Sequence, residues 1–207
     1  MTRWTLYSAP GTCALASHIA LREAGADFDL VTLDFGSGQQ QSSDFLAINP
    51  KGRVPALVTD NGVLTETPAL LAFIAQSFPQ AQLAPLDDAF AFARMQEFNG
   101  YIASTVHVAH AHKRRGGRWA DDAAAIEAMR AKVPQTMSAC AALIEARLVG
   151  PWVLGDCYSV ADGYLFTVAG WLAGDGVDMK RFPHIVAHLE RVRARPAVKR
   201  AIAESGG

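Results

Sequence analysis

The chain has 207 residues, half of them hydrophobic and 19% charged, a length that accommodates two small domains with a substantial core. Its 19 Lys and Arg against 20 Asp and Glu leave a formal net charge of −1, so the overall field gives no reason to expect nucleic acid or an anionic membrane as partner. No apolar run approaches the ~20 residues that span a bilayer, and the start at Met1-Thr2-Arg3-Trp4 has no signal-like apolar segment.

In chain order, residues 4–7 are a short β-prone run broken at Ser8-Ala9-Pro10-Gly11. Leu15 and Ile19, flanked by Ala16 and Ala20, predict a helix over residues 13–24 that Gly25 stops. Residues 28–33 alternate as a second strand, and the Gly, Gln and Ser of residues 36–43 predict a mobile loop. Val54 to Val58 and Val63-Leu64 form a hairpin turning at Asp60-Asn61-Gly62. A helix follows near Pro68, since proline suits a first helical position whose N–H would be unpaired anyway. The order is βαβαββα, a thioredoxin-like arrangement.

Residues 80–87, with Pro79 and Pro85 in or beside them, read as a linker; strand signals vanish beyond it. Ile126, Met129, Val133, Met137, Cys140, Ile144 and Leu148 recur by threes and fours, with a kink expected at Pro134. Residues 160–172 and 185–192 supply further helices, and Pro196 opens a last short one. The division is therefore an α/β domain at residues 1–80 and a helical bundle at residues 88–207.

Three segments carry chemistry. Cys13 stands at the start of a helix, where unpaired N–H groups favour thiolate over thiol and lower its pKa from ~8.5; the competing reading is a small buried apolar residue. With no C-x-x-C pair it lacks an intramolecular disulfide partner, which leaves a small-molecule thiol as its natural counterpart. Cys13, Cys140 and Cys157 are odd in number and widely spaced, so neither a disulfide framework nor a structural zinc site is expected, and the reducing cytoplasm is the compartment they fit. Pro55, opening a strand-like run after Asn49-Pro50-Lys51-Gly52-Arg53-Val54, is either an ordinary trans turn or a cis peptide that turns the Val54 backbone outward for a peptide-like ligand. Glu66 and Thr67 precede a helix, where they either simply cap it or hold the two charges of an amino-acid head group.

In this order the segments resemble the cytosolic glutathione transferases, and among them the bacterial beta class. Ser159-Val160-Ala161-Asp162, followed by Tyr164-Leu165-Phe166-Thr167-Val168, resembles the family's helix-capping box, and Arg195-Pro196-Ala197-Val198 its C-terminal motif. The resemblance covers essentially the whole chain. It implies a cytoplasmic homodimeric enzyme of detoxification that takes glutathione as substrate, uses no metal, and adds its thiolate to small hydrophobic electrophiles. It implies that Cys13 faces the glutathione sulfur, that Val54 pairs with the cysteinyl backbone beside a cis Pro55, and that Glu66 and Thr67 hold the γ-glutamyl group. Ser104 and His107 would line the active site, His107 as a hydrogen-bond partner of sulfur or water. Thiol–disulfide exchange or peroxide reduction through Cys13, and a non-catalytic ligand-binding protein, are the rival functions. Tyr7 and Ser8 are the other candidates to hold the thiolate.

The sequence departs from that pattern where residues 36–41 offer no lysine for the glycine carboxylate; Gln39 to Gln41 are the available substitutes. It also carries Lys113, Arg114, Arg115 and Arg118 after a histidine-rich helix, either as a compensating positive rim or as cations at a solvated helix end. His107 and His110 share a helical face, but no carboxylate or cysteine near them in sequence completes a metal site. Cys140 lies on the apolar stripe, and Cys157 has no chemical role in this reading.

Overall fold

The computed structural model describes residues 3–206. Strands β1 (Trp4–Ser8), β2 (Phe28–Thr32), β3 (Ala56–Thr59) and β4 (Gly62–Thr65) form one sheet in the order β2-β1-β3-β4. Leu6 lies opposite Leu30 in the parallel pair β1–β2 and opposite Leu57 in the antiparallel pair β1–β3. A parallel pair needs a crossover, and helix α1 (Ala14–Glu23) supplies it. β3 and β4 need only a tight turn, in which the Thr59 hydroxyl donates to the Gly62 carbonyl at 2.9 Å. The second helix, α2 (Ser43–Ile48), and the third, α3 (Thr67–Ser77), complete the βαβαββα unit.

The segment expected as a mobile loop is folded instead. The Asp34 carboxylate accepts from the Gly36 N–H at 2.8 Å, and the Gln39 side-chain carbonyl accepts from the Asp34 N–H at 2.8 Å. A 3-10 turn follows at Gln39–Gln41, and the Ser42 hydroxyl caps α2 by accepting from the Phe45 N–H at 3.2 Å. Short polar side chains that compete poorly inside helices satisfy the backbone well in such turns.

Beyond a 3-10 turn at Pro79–Ala81, the helical unit begins with α4 (Ala89–Tyr101), capped by the Asp88 carboxylate. A π turn (Ile102–Val106) leads into α5 (His107–Arg115). The long α6 (Ala123–Arg147) continues through Pro134, which supplies no N–H to the ladder and yet ends no helix. The remaining helices are α7 (Val160–Ala169), α8 (Pro183–Ala194) and α9 (Pro196–Glu204). No helix among the described residues is long and apolar enough to cross a membrane.

The two units share a core. α1 packs on α3, α7 and α9. A Cβ at Gly163 of α7 would meet the Ile19 side chain at 3.1 Å, so the absence of a side chain there allows the close approach of α1 and α7. Polar contacts fix the same junction. His18 is fully buried with Nε2 at 2.9 Å from Glu204 and Nδ1 at 3.0 Å from the Ser205 hydroxyl, and Arg195 clamps both oxygens of Glu23. At the start of α7, buried Asp162 accepts from the Val153 N–H at 2.8 Å, the Ser159 N–H at 2.8 Å and the Ser159 hydroxyl at 3.2 Å. The Ser159 hydroxyl accepts in turn from the Ala161 N–H at 3.3 Å, completing a capping box. The His188 Nε2 lies 2.9 Å from the same carboxylate, while its buried Nδ1 has no partner; a neutral ring protonated on Nε2 satisfies both observations.

Candidate functional site

A cleft of about 510 Å³ opens between the α/β unit and the helical unit. Its first wall comes from the loop before α1, the loop before β3 and the start of α3. Cys13 lines it but is only 7% exposed, and its thiol donates to the Val54 carbonyl at 3.7 Å. Burial pushes this thiol above its ordinary pKa, against the opposing influence of the Thr67 hydroxyl and the Arg115 charge. The lowered pKa expected from a helix start is thereby corrected, and the reason is local. The N–H groups of Leu15 and Ala16 donate to the Thr12 and Cys13 carbonyls, and that of Ala14 to the Thr12 hydroxyl, so the first turn's donors are already engaged. Desolvation then decides.

The Val54–Pro55 peptide is cis, and both residues line the cleft above Cys13. The Asn49 side-chain amide donates to the Arg53 carbonyl at 2.6 Å and its oxygen accepts from the Lys51 N–H at 3.2 Å, which holds this loop in shape. Glu66 precedes α3 with φ +73°, a conformation that costs a non-glycine residue roughly 1–3 kcal/mol and that clusters at ligand-binding positions. Its exposed carboxylate pairs with the Lys51 ammonium at 2.5 Å. Thr67 is buried at the first turn of α3, where its hydroxyl opposes the upward push of burial on the Cys13 thiol and on the Tyr164 hydroxyl.

The opposite wall is helical. Ala103, His107, Val108, His110 and Ala111 face the cleft, with Trp171, Arg115, Arg118, Trp119 and Tyr164. Burial, followed by the charges of His110, Arg115, Arg118 and Arg53, pushes His107 down to about 4, so its ring is neutral at physiological pH. Ser104 is not among the lining residues: it is exposed, and its hydroxyl donates back to the Gly100 carbonyl at 2.9 Å. Helical spacing puts either position 103 or position 104 within a turn of His107, and it is Ala103 that lines the cleft with it. Tyr7 stacks near Phe45 and Ser8 is buried at the end of β1; neither lines the cleft.

The expected positive rim divides in two. Arg115 and Arg118 line the cleft, whereas Lys113 turns away to the Gly174 carbonyl and to Asp175 at 3.1 Å. Arg53 joins the rim from the other wall, a residue that sequence reasoning missed because exposed arginines in loops carry no periodic signal. Of the glutamines, Gln40 and Gln41 line the cleft, while Gln39 is spent on the Asp34 backbone. His110 reaches Asp175 at 2.6 Å and stacks on Trp171 at 4.3 Å, and no group of three metal-ligating side chains occurs among the described residues. Trp171 and Tyr164 also line the cleft, and neither was expected there. Cys140 is buried on α6, and Cys157 is exposed and away from the cleft.

Two family models match the chain: that of the glutathione S-transferase N-terminal domain at residues 2–76 and that of the C-terminal domain at residues 123–191. The glutathione S-transferase GstA of Escherichia coli O157:H7 is 35% identical over 97% of this chain and 98% of its own. A glutathione transferase homologue from Sulfitobacter, solved with bound glutathione, is 48% identical with a TM-score of 0.95, covering 100% of this chain and 99% of that one. The beta-class glutathione S-transferase of Sphingomonas chungbukensis is 35% identical with a TM-score of 0.86, covering 98% of both chains.

Proposed function

The chain belongs to the glutathione transferase family and resembles its bacterial beta class, and from that membership we propose how it binds glutathione and adds the thiolate to a small hydrophobic electrophile. Residues 1–80 form the glutathione-binding part and residues 88–207 shape the second site. The observation that carries the reading is that Cys13, the cis Val54–Pro55 peptide, Glu66 and Thr67 all open onto one cleft whose far wall is helical.

The Val54 backbone pairs with the cysteinyl portion of glutathione, as an added strand would. Glu66 receives the ammonium of the γ-glutamyl group, and the N-terminus of α3 at Thr67 receives its carboxylate. Cys13 remains a thiol and donates its S–H to the glutathione sulfur, exchanging the Val54 carbonyl for a thiolate. Bringing a thiol from ~8.5 to near neutrality takes about 2 kcal/mol of preference for the charged form. One donor to a charged acceptor, helped by Arg115, is of that size. A histidine pushed to about 4 is a poor proton store, so His107 acts as a neutral hydrogen-bond partner of sulfur or water. Thiol–disulfide exchange through Cys13 would use the same cleft, but the burial that raises its pKa weighs against it.

Detoxification in the cytoplasm as a homodimer completes the reading, supported for the dimer by Phe90 of α4, 76% exposed. Calorimetry with glutathione and a conjugation assay with 1-chloro-2,4-dinitrobenzene test it. The wild type should bind and conjugate, and Thr67→Ala should weaken glutathione binding by about ten-fold through loss of a buried polar contact. No binding at millimolar glutathione would overturn it.

A further inference from the structure

The cleft holds more positive charge than glutathione neutralises. Arg53, Arg115 and Arg118 all line it, and none is paired with a carboxylate among the described residues. The cations around them are matched: Lys51 takes Glu66 and Lys113 takes buried Asp175. Three arginines therefore line one cleft, close enough together that Arg53 and Arg115, after burial, depress the pKa of Arg118. Glutathione bound as a thiolate brings two carboxylates, a thiolate and an ammonium, a net of two negative charges. One guanidinium remains without a counter-charge from glutathione, free to meet a second anion.

Two of the three arginines belong to the helical wall. Arg115 ends α5 and Arg118 lies in the 3-10 turn after it. The same wall presents two indoles, Trp119, left 47% exposed, and Trp171, fixed by stacking against His110. The buried Asp175 carboxylate is taken by His110 and Lys113. Planar donors beside aromatic walls recognise a flat molecule with an oxyanion.

We infer that the second substrate is an aromatic electrophile bearing an anionic group, such as a carboxylate, which Arg115 and Arg118 hold beside the indoles of Trp119 and Trp171. This rests on the transferase reading above. In the test reaction the glutathione thiol first gives its proton to solvent. The thiolate then forms a C–S bond at the chlorine-bearing ring carbon, and chloride departs with the electron pair of the C–Cl bond.

The experiment compares 4-chloro-3-nitrobenzoate with its neutral analogue 4-chloro-3-nitrobenzamide, each kcat/KM divided by the uncatalysed rate with glutathione. The wild type should favour the carboxylate by about ten-fold or more, the worth of one charge-assisted contact. In the Arg118→Gln variant the larger part of the preference should be lost, through a raised KM for the benzoate and with the glutathione Kd nearly unchanged. Arg118→Lys, which keeps the charge without the planar fork, must retain some of the preference. If neither compound is turned over, the affinities of the two synthesised glutathione conjugates decide by the same thresholds. Equal treatment of the two compounds by the wild type, the full preference surviving in Arg118→Gln, or loss of glutathione binding in that variant overturns the inference. Failure of the wild type to bind glutathione at all overturns the transferase reading beneath it.

Discussion

A buried thiol donating to a carbonyl behaves unlike a cysteine held at a free helix end. Cys13 is 7% exposed and its pKa is shifted upward by desolvation, so little of it is thiolate at neutral pH. Iodoacetamide at pH 7 should therefore modify exposed Cys157 faster than Cys13, and the Cys13 rate should keep rising with pH beyond ~8.5, the midpoint of a free cysteine. Peptide mass mapping over time checks this; faster labelling of Cys13 would restore the reactive-thiolate view. As a donor to bound thiolate, Cys13 is worth about 1.5–3 kcal/mol. Cys13→Ala should thus lower conjugation by about ten-fold or more while leaving glutathione bound, read from kcat at saturating glutathione. An unchanged kcat would leave the thiolate to His107 or Arg115.

At the level of elements, α7 depends on one carboxylate. Asp162 serves the Val153 N–H, the Ser159 N–H, the Ser159 hydroxyl and His188, all inside the core. It ties the cap of α7 to the preceding loop and to α8, and α7 in turn carries Tyr164 to the cleft and Gly163 to α1. Asp162→Ala leaves several buried donors without an acceptor, a loss of about 3 kcal/mol or more. At roughly 2–4 °C per kcal/mol for a chain of this size, Tm should fall by about 6–12 °C. Glutathione affinity of the folded fraction should hardly move, because Asp162 does not line the cleft. An inactive variant with unaltered melting would contradict the structural role.

Across the whole molecule, acid acts on groups that fold in a fixed charge state. Burial keeps His18 and His107 neutral, the latter with a pKa pushed to about 4. The unfolded chain protonates both near pH 6.5, so their contribution to stability is complete above that value and drains as pH falls toward 4. Glu204 is shifted the other way for a carboxylate of mixed surroundings: burial opposes its charge, but hydrogen bonds from Arg200, Arg22 and His18 bring it down to about 2. Its contribution persists above the ordinary carboxylate range and is lost below it. Tm should hold level from pH 8 to 7 and decline between 6.5 and 4, and His107→Asn should soften that decline; a flat profile to pH 4 would refute the burial argument. Assembly belongs to the same scale. The exposed Phe90 predicts that light scattering at micromolar concentration gives twice the mass of one chain, and that Phe90→Ser shifts it toward the monomer.

The sequence by itself determined whatever rests on neighbours along the chain. Alternation at residues 28–33, the Asp60-Asn61 turn, the proline at the start of α3 and the three-and-four spacing of α6 each fix local backbone, and together they give the fold order. The segments around Cys13, Val54–Pro55 and Glu66–Thr67 were legible as ligand-facing because their spacing resembles a known family, and the structure brings them to one cleft. Tertiary structure alone decided the rest. Whether a thiol is lowered by a helix end or raised by burial depends on what covers it, and Thr67, Val54 and Arg115 come from three distant elements. Ala103 and not Ser104 faces the cleft, although helical spacing puts either within a turn of His107. Which cations of this segment line the cleft is also tertiary, since Lys113 turns to Asp175 whereas Arg115 and Arg118 line it. Dihedral preferences and periodicity are local quantities, whereas desolvation and charge pairing are sums over everything nearby in space, and only the folded chain sets those neighbours.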